Sequence, residues 1–216
     1  MARRHKRLSL LWNPTRRRIY ELVCESPGIH YNRLTSELKI SQGTLSWHLQ
    51  QLKNEDLIST TKFGGKRIVY PRILSCVKSA QAFAALGCET AQQIFMQVRH
   101  KPGINQQKIA DAVGVGHETV RYHLNRFEQI GLVERYRDGR DVRGFLGELG
   151  ESLASGQLKS SKEQFVPFLV QKLEEGCLTP ITVSQHENHV SLCVSGPGDA
   201  QFEIIIDFTE FTFLTN

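Results

Sequence analysis

The stretch from Tyr31 to Tyr70 recurs 75 positions further on, at Gln106 to Phe145, without one inserted or deleted residue. A register held through every turn of a 40-residue unit commits both copies to one fold. With the helical segment ahead of it, each copy spans about 60 residues, near the lower limit of what one small core stabilises. Contact between the copies, or with another subunit, is therefore expected. The 216 residues hold both copies and a remainder of other character.

The first unit runs from Asn13 to Pro71 and the second from Cys88 to Leu146. In each, apolar residues at helical spacing (Ile19, Leu22, Val23; Ile94, Phe95, Val98) precede an identical Pro-Gly-Ile at 27–29 and 102–104, which ends the helix. A short helix follows, Tyr31 to Leu38 or Gln106 to Val113. Then comes a tight turn, Lys39-Ile40-Ser41 or Gly114-Val115-Gly116. Ser41 is a good cap for the next helix, Gly116 a weaker one, while Gly114 suits a left-handed helix end. The third helix buries Leu45, His48, Leu49 and Leu52, matched by Val120, His123, Leu124 and Phe127. Its outward side carries Gly43, Trp47, Gln50 and Asn54 in the first copy, flanked by Thr44, Ser46 and Gln51. The second copy has Glu118, Tyr122, Asn125 and Gln129 there, with Thr119, Arg121 and Arg126 beside them. Strands start at Leu57-Ile58 and Leu132-Val133, with hairpin tips at Gly64-Gly65 and Asp138-Gly139. Cations sit on the hairpins: Lys62, Lys66 and Arg67, then Arg135, Arg137, Arg140 and Arg143.

That order of elements has the spacing of a winged helix-turn-helix, with the third helix shaped for the DNA major groove and the hairpin for backbone phosphates. The competing reading of the wing is an edge ribbon solubilised by Lys and Arg.

NPTRRRIYEL followed by GTLSWHLQQLKNEDLI resembles the winged-helix repressors of the ArsR and MarR type, and is similar to archaeal regulators with tandem winged helices. The resemblance covers residues 10–146. It implies a third helix that enters the major groove, pointing to Gln42, Thr44, Ser46 and Trp47, and to His117, Thr119, Arg121 and Tyr122. Two departures matter. No Cys-x-Cys lies between Ile40 and Leu52, so metal sensing there is not supported, and Lys39 replaces the usual turn glycine, which implies a slightly different approach to the third helix.

Charge is graded along the chain. The net +5 divides into +9 over residues 1–72, +2 over 73–150 and −6 over 151–216. A polyanion is drawn to the front and repelled by the back. Five cysteines in an odd count without paired short spacing fit a reducing cytoplasm rather than a disulfide scaffold or zinc knuckle. No leader and no membrane span is expected.

His48 and His123 are expected as core histidines rather than catalytic or metal-binding ones. His186 and His189 bracket a turn, and without a third ligand no metal is assigned. Trp47 and Tyr122 are expected to meet a thymine methyl or sugar, or else a domain or subunit interface. Arg3, Arg4, Lys6 and Arg7 form a basic arm suited to the minor groove or to no fixed structure. Arg16, Arg17 and Arg18 open the first helix against its dipole, which an anionic partner would relieve, although a solvated face is equally consistent.

A Gly- and Ser-rich linker is expected over 147–160 and an acidic α+β domain over 161–216. In that domain a helix with Phe165, Phe168, Leu169 and Leu173 covers strands at Ile181 to Ser184, Val190 to Val194 and Phe202 to Phe208, with an extension at Phe211 to Leu214. The expected fold class is mainly α with small β wings, two tandem winged helix-turn-helix copies (1–72 and 73–146), plus this small domain. The expected function is a sequence-specific transcriptional regulator on double-stranded DNA, acting as a homodimer; residues 161–216 are open to dimerisation, effector binding or contact with the transcription machinery, with a protein partner favoured because no cluster of polar pocket residues or phosphate loop is visible. The alternative is a protein-interaction module of a transcription or chromosome-organisation complex. No enzymatic constellation and no cofactor is expected.

Overall fold

The computed structural model describes residues 10–73, 77–155, 159–176, 178–186, 189–196 and 200–207. Their contacts divide them into two units, one made of residues 10–73 with 159–207 and the other of residues 77–155.

In the first unit, α1 (Pro14–Glu25) begins at Asn13, whose side chain accepts the Arg16 N–H at 3.0 Å, with proline at the first helical position. The short strand β1 (Ile29–His30) leads into α2 (Tyr31–Leu38), α3 (Gln42–Asn54), and the hairpin β2 (Ile58–Phe63) and β3 (Lys66–Pro71). The antiparallel sheet has the order β1-β3-β2, with Ile29 opposite Val69. Gly64 and Gly65 both have positive φ, +55° and +74°, as a two-residue reversal of matching twist requires.

The second unit repeats this order: α4 (Val77–Ala85), then α5 (Glu89–His100), β4 (Ile104–Asn105), α6 (Gln106–Val113), α7 (His117–Gln129), β5 (Val133–Asp138) and β6 (Asp141–Leu146). Its wing turns at Gly139-Arg140, one residue later than the expected Asp138-Gly139, because only Gly139 supplies a positive φ, +61°. Helix α4 packs Ala80, Ala82, Phe83 and Ala85 inward and lies against α7.

The expected linker over 147–160 is in part a helix, α8 (Glu148–Ala154). Its glycines serve close packing rather than freedom: a Cβ on Gly147 would stand 2.4 Å from the Gly131 carbonyl oxygen, and one on Gly150 2.2 Å from that of Leu132. Gly147 and Gly150 thereby bring α8 onto the base of the second wing.

Helix α9 (Lys159–Glu175) covers an antiparallel sheet of order β7-β8-β9, with β7 (Thr179–Gln185), β8 (His189–Ser195) and β9 (Gln201–Asp207). The first two predicted strands fall inside these and the third agrees as far as Asp207; Phe208 and the predicted extension at 211–214 lie outside the described residues. This segment shares its core with the first winged helix. Phe165, Leu169, Val190, Leu192, Ile204 and Ile206 form one buried cluster with Leu11, Ile19, Leu22, Val23, Leu45 and Leu52. The reason lies in α1, which is buried on more than one side: Tyr20, Leu22 and Cys24 need cover as well as Ile19 and Val23. Strand β9 supplies it. Glu21 accepts the Ile205 N–H at 3.4 Å, Trp12 meets Phe202 edge to face at 5.5 Å, and Arg17 lies over the Phe202 ring at 4.5 Å.

Candidate nucleic-acid interface

Helix α3 is presented by its turn. Lys39 adopts the left-handed conformation (φ 52°, ψ 39°), and Gly114 takes it in the second unit (φ 72°, ψ 33°). The different approach expected from Lys39 is therefore absent: the helix end outweighs the side chain's preference, at a cost of about 1–2 kcal/mol. Ser41 then caps α3, accepting the Thr44 N–H at 3.1 Å.

The outward face is as the periodicity predicts. Gln42, Gly43, Thr44, Ser46, Trp47 and Gln50 are exposed, whereas Leu45, His48, Leu49 and Leu52 are buried. Tyr31 braces the start of this helix. Its hydroxyl donates to the Gln42 carbonyl at 2.5 Å, so the Ser46 hydroxyl, 2.6 Å away, donates to Tyr31 and keeps lone pairs for an incoming donor. Arg67 of the wing lies over the Tyr31 ring at 5.5 Å, which ties wing to helix. Gln50 donates to Asn54 at 2.7 Å. Lys62, Lys66 and Arg67 are exposed.

The second interface has the same frame and another charge state. His117, Glu118, Arg121, Tyr122 and Asn125 are exposed, with Thr119 and Arg126 half-buried. Gly116 provides no side-chain cap. Arg121 pairs with Glu118 at 2.6 Å, and Arg126 donates to the Tyr122 hydroxyl at 3.0 Å. Arg135, expected on the wing for phosphate, is folded back on α7. Glu128 binds it as an ion pair and Asn125 accepts from it at 2.7 Å. Arg143 pairs with Asp138 at 2.6 Å, while Arg137 and Arg140 stand exposed near the tip. Recognition helix and wing together carry a net +4 in the first unit and +1 in the second.

One arrangement occurs in both units. Trp47 and Tyr122, each 55% exposed, pack edge to face on the following histidine, at 4.9 Å from His48 and 5.2 Å from His123. Each aromatic also carries a guanidinium: Arg16 from α1 at 5.2 Å from the Trp47 ring, and Arg126 from α7 itself at 5.5 Å from Tyr122. Burial pushes both histidines below their ordinary range, with Arg16 and Arg126 adding to it, so the imidazoles are neutral. Both fill the core stripe as expected.

Residue periodicity did not reveal the roles of Arg16 and Tyr31 or the Glu128–Arg135 pair. The replacement of Tyr31 by Gln106 in an otherwise matched repeat is the one signal that bore on the brace. Among the described residues no group of three or more His, Cys, Asp or Glu is placed to hold a metal ion, and no helix is long and apolar enough to cross a membrane. His186 and His189 stack at 4.4 Å. The basic arm at residues 3–7 lies outside the described residues.

Residues 13–79 match a family described as an N-terminal HTH domain, and residues 90–145 match the MarR family. An HTH-type transcriptional regulator of Methanocaldococcus jannaschii is 33% identical over 139 residues, which is 64% of this chain but 35% of that protein, so the chain spans about a third of its relative's length. Among solved structures, an ArsR-like transcriptional regulator from Rhodococcus sp. RHA1 is 23% identical with a TM-score of 0.37, over 45% of this chain and 91% of its own. A homodimeric winged helix-turn-helix DNA-binding domain from Mycobacterium bovis is 20% identical with a TM-score of 0.34, over 40% and 80%.

Proposed function

As a tandem winged helix-turn-helix protein of the ArsR/MarR-like type, this chain, we propose, regulates transcription by binding duplex DNA, with α3 in the major groove and the β2–β3 wing on the flanking backbone. One observation carries the reading: α3 presents an exposed face without an acidic side chain, beside a wing bearing Lys62, Lys66 and Arg67. Phosphate contacts from the wing set affinity and its salt dependence. Gln42, Gly43, Thr44, Ser46, Trp47 and Gln50 meet base edges, where each good pair discriminates by about 1–3 kcal/mol.

The second head contributes less electrostatically, since Arg121 and Arg135 already hold carboxylates. Of its outward residues, His117, Glu118, Thr119, Arg121, Tyr122, Asn125 and Arg126, all but Thr119, which matches Thr44, differ from their counterparts on α3, so one chain reads an asymmetric site. A homodimer restores a palindrome with like heads about 34 Å apart or a multiple of it. The same ion pairing favours a second reading for this head alone, contact with another protein through α7; the acidic segment 161–216 offers a further surface for a protein partner. Selection of duplexes from a random pool, followed by gel shifts at two salt concentrations, tests the proposal. Salt-sensitive binding of a selected sequence supports it, and failure to select any sequence refutes it.

A further inference from the structure

We propose that Arg16 is a phosphate-binding residue of the first head, contributed from outside the recognition helix and the wing. This deepens the reading of α3 as a DNA-binding helix and rests on it.

The three successive arginines of α1 have separate fates. Arg18 pairs with Glu21 and Glu25 at 3.3 and 3.0 Å. Arg17 donates to the Leu11 carbonyl at 3.2 Å and covers Phe202. Arg16 alone among them has no carboxylate, although it keeps just 6% of its surface exposed. Its Nε is buried without a hydrogen-bond partner, and its guanidinium lies over Trp47 at 5.2 Å with neutral His48 nearby. A largely buried guanidinium with its Nε unpartnered and no carboxylate beside it lacks a counter-charge.

Its position tells what would compensate it. Arg16 stands in the first turn of α1, where the helix dipole is also positive, so an anion there answers two unfavourable terms at once. The nearby carboxylates of α1 are already taken by Arg18. The neighbouring exposed group is Trp47, on the face assigned to DNA. A backbone phosphate of a duplex seated on α3 meets these conditions. The second unit has no counterpart: the residue matched to Arg16 is Ala91, fully buried, and the guanidinium over Tyr122 is that of Arg126 on the same helix. The anchor is thus specific to the more cationic head.

The test is Arg16→Met, which preserves the length of the packed stem and removes the charge. On a duplex selected from a random pool by the wild-type chain, the slope of log affinity against log salt should fall by about 0.9, the value of one neutralised phosphate. Ranking among sequences should stay unchanged, and the melting temperature should hold or rise, since no buried partner is orphaned. An unchanged slope with intact binding overturns the assignment. A scan of single neutral methylphosphonates along the duplex gives an independent reading with Arg16→Lys, which retains the cation. One position should weaken the wild type and Arg16→Lys, yet leave Arg16→Met unaffected. If Arg16→Met does not fold, Arg16→Gln takes its place as the neutral variant, with the same expected drop in slope and the same single position left unaffected. Losses in the neutral variant equal to those of the wild type at every position refute the proposal. If the wild type selects no duplex, it is the DNA-binding reading that has failed, and a normal wild-type slope with an unaltered variant slope isolates the failure to Arg16.

Discussion

Removing the two cations at the tip of the first wing, Lys66→Gln with Arg67→Gln, is the sharpest test of the proposed seating of DNA on the first head. Both residues are exposed, and neither is joined to a carboxylate in the way that Arg135 is held by Glu128. Each neutralised phosphate adds about 0.9 to the salt slope, so the double variant should lose about 1.8. Between 50 and 200 mM salt, a fourfold rise, that slope difference changes the wild-type advantage by about 12-fold. Arg67 also lies over Tyr31 at 5.5 Å, a contact contributing about 0.5–1 kcal/mol to the orientation of the wing. Affinity at a single salt concentration therefore mixes two effects, whereas the slope isolates one. Fluorescence anisotropy with a labelled selected duplex, titrated at five salt concentrations, reads the slope directly. Arg135→Gln is the internal control: its charge is already shared with Glu128 and Asn125, so the slope should change far less while the melting temperature drops. A double variant whose slope equals that of the wild type, or whose sequence preference shifts, would refute the phosphate role of this wing.

Four other perturbations follow from the same geometry. Lys39→Gly should stabilise the first unit by roughly 0.5–1 kcal/mol in urea denaturation, the left-handed cost removed less the flexibility that glycine adds to the unfolded chain. Gly43→Ala has room, with the nearest heavy atom 3.8 Å from the new Cβ, so it should raise stability by up to about 1 kcal/mol yet weaken DNA binding if backbone meets phosphate there; unimpaired binding in anisotropy would exclude that approach. His48 and His123 have folded-state pKa values below the ordinary one, so their stabilisation is complete above about pH 6.5 and is lost as pH falls toward the depressed values. His48→Leu should flatten that dependence in urea midpoints measured between pH 7.5 and 5.5. Leu169→Ala, at a fully buried position in α9, should cost about 2–5 kcal/mol and strip hydrogen-exchange protection from α1 while leaving residues 77–155 unaffected.

What the sequence disclosed was whatever repeats with a local period. The third helices, their buried stripes and the wings follow from spacing alone, because 3.6-residue periodicity and paired glycines act over a few residues. Helix α8 escaped because its glycines permit backbone contact with Gly131 and Leu132, a relation no local pattern expresses. The seating of β9 on α1 escaped for a related reason. Both partners look amphipathic in isolation, and the second buried side of α1 becomes visible only when Ile204 and Ile206 arrive there. At the interface, outward residues were legible but their charge state was not. Glu128 and Arg135 stand seven positions apart across a turn, so that their pairing depends on how the wing leaves the helix.

Because β9 completes the core around α1, the first unit is a discontinuous one, with the whole of residues 77–155 translated between its halves. A ribosome adding about 5–20 residues per second delivers Ile204 roughly 7–26 seconds after Ile73. During that interval the nascent chain can close its middle portion while α1 waits with an apolar side uncovered, which exposes it to chaperones and proteases. A product terminated before Gln201–Asp207 would then lack the strand that covers α1, so the integrity of the first unit depends on a segment translated after the whole of the second.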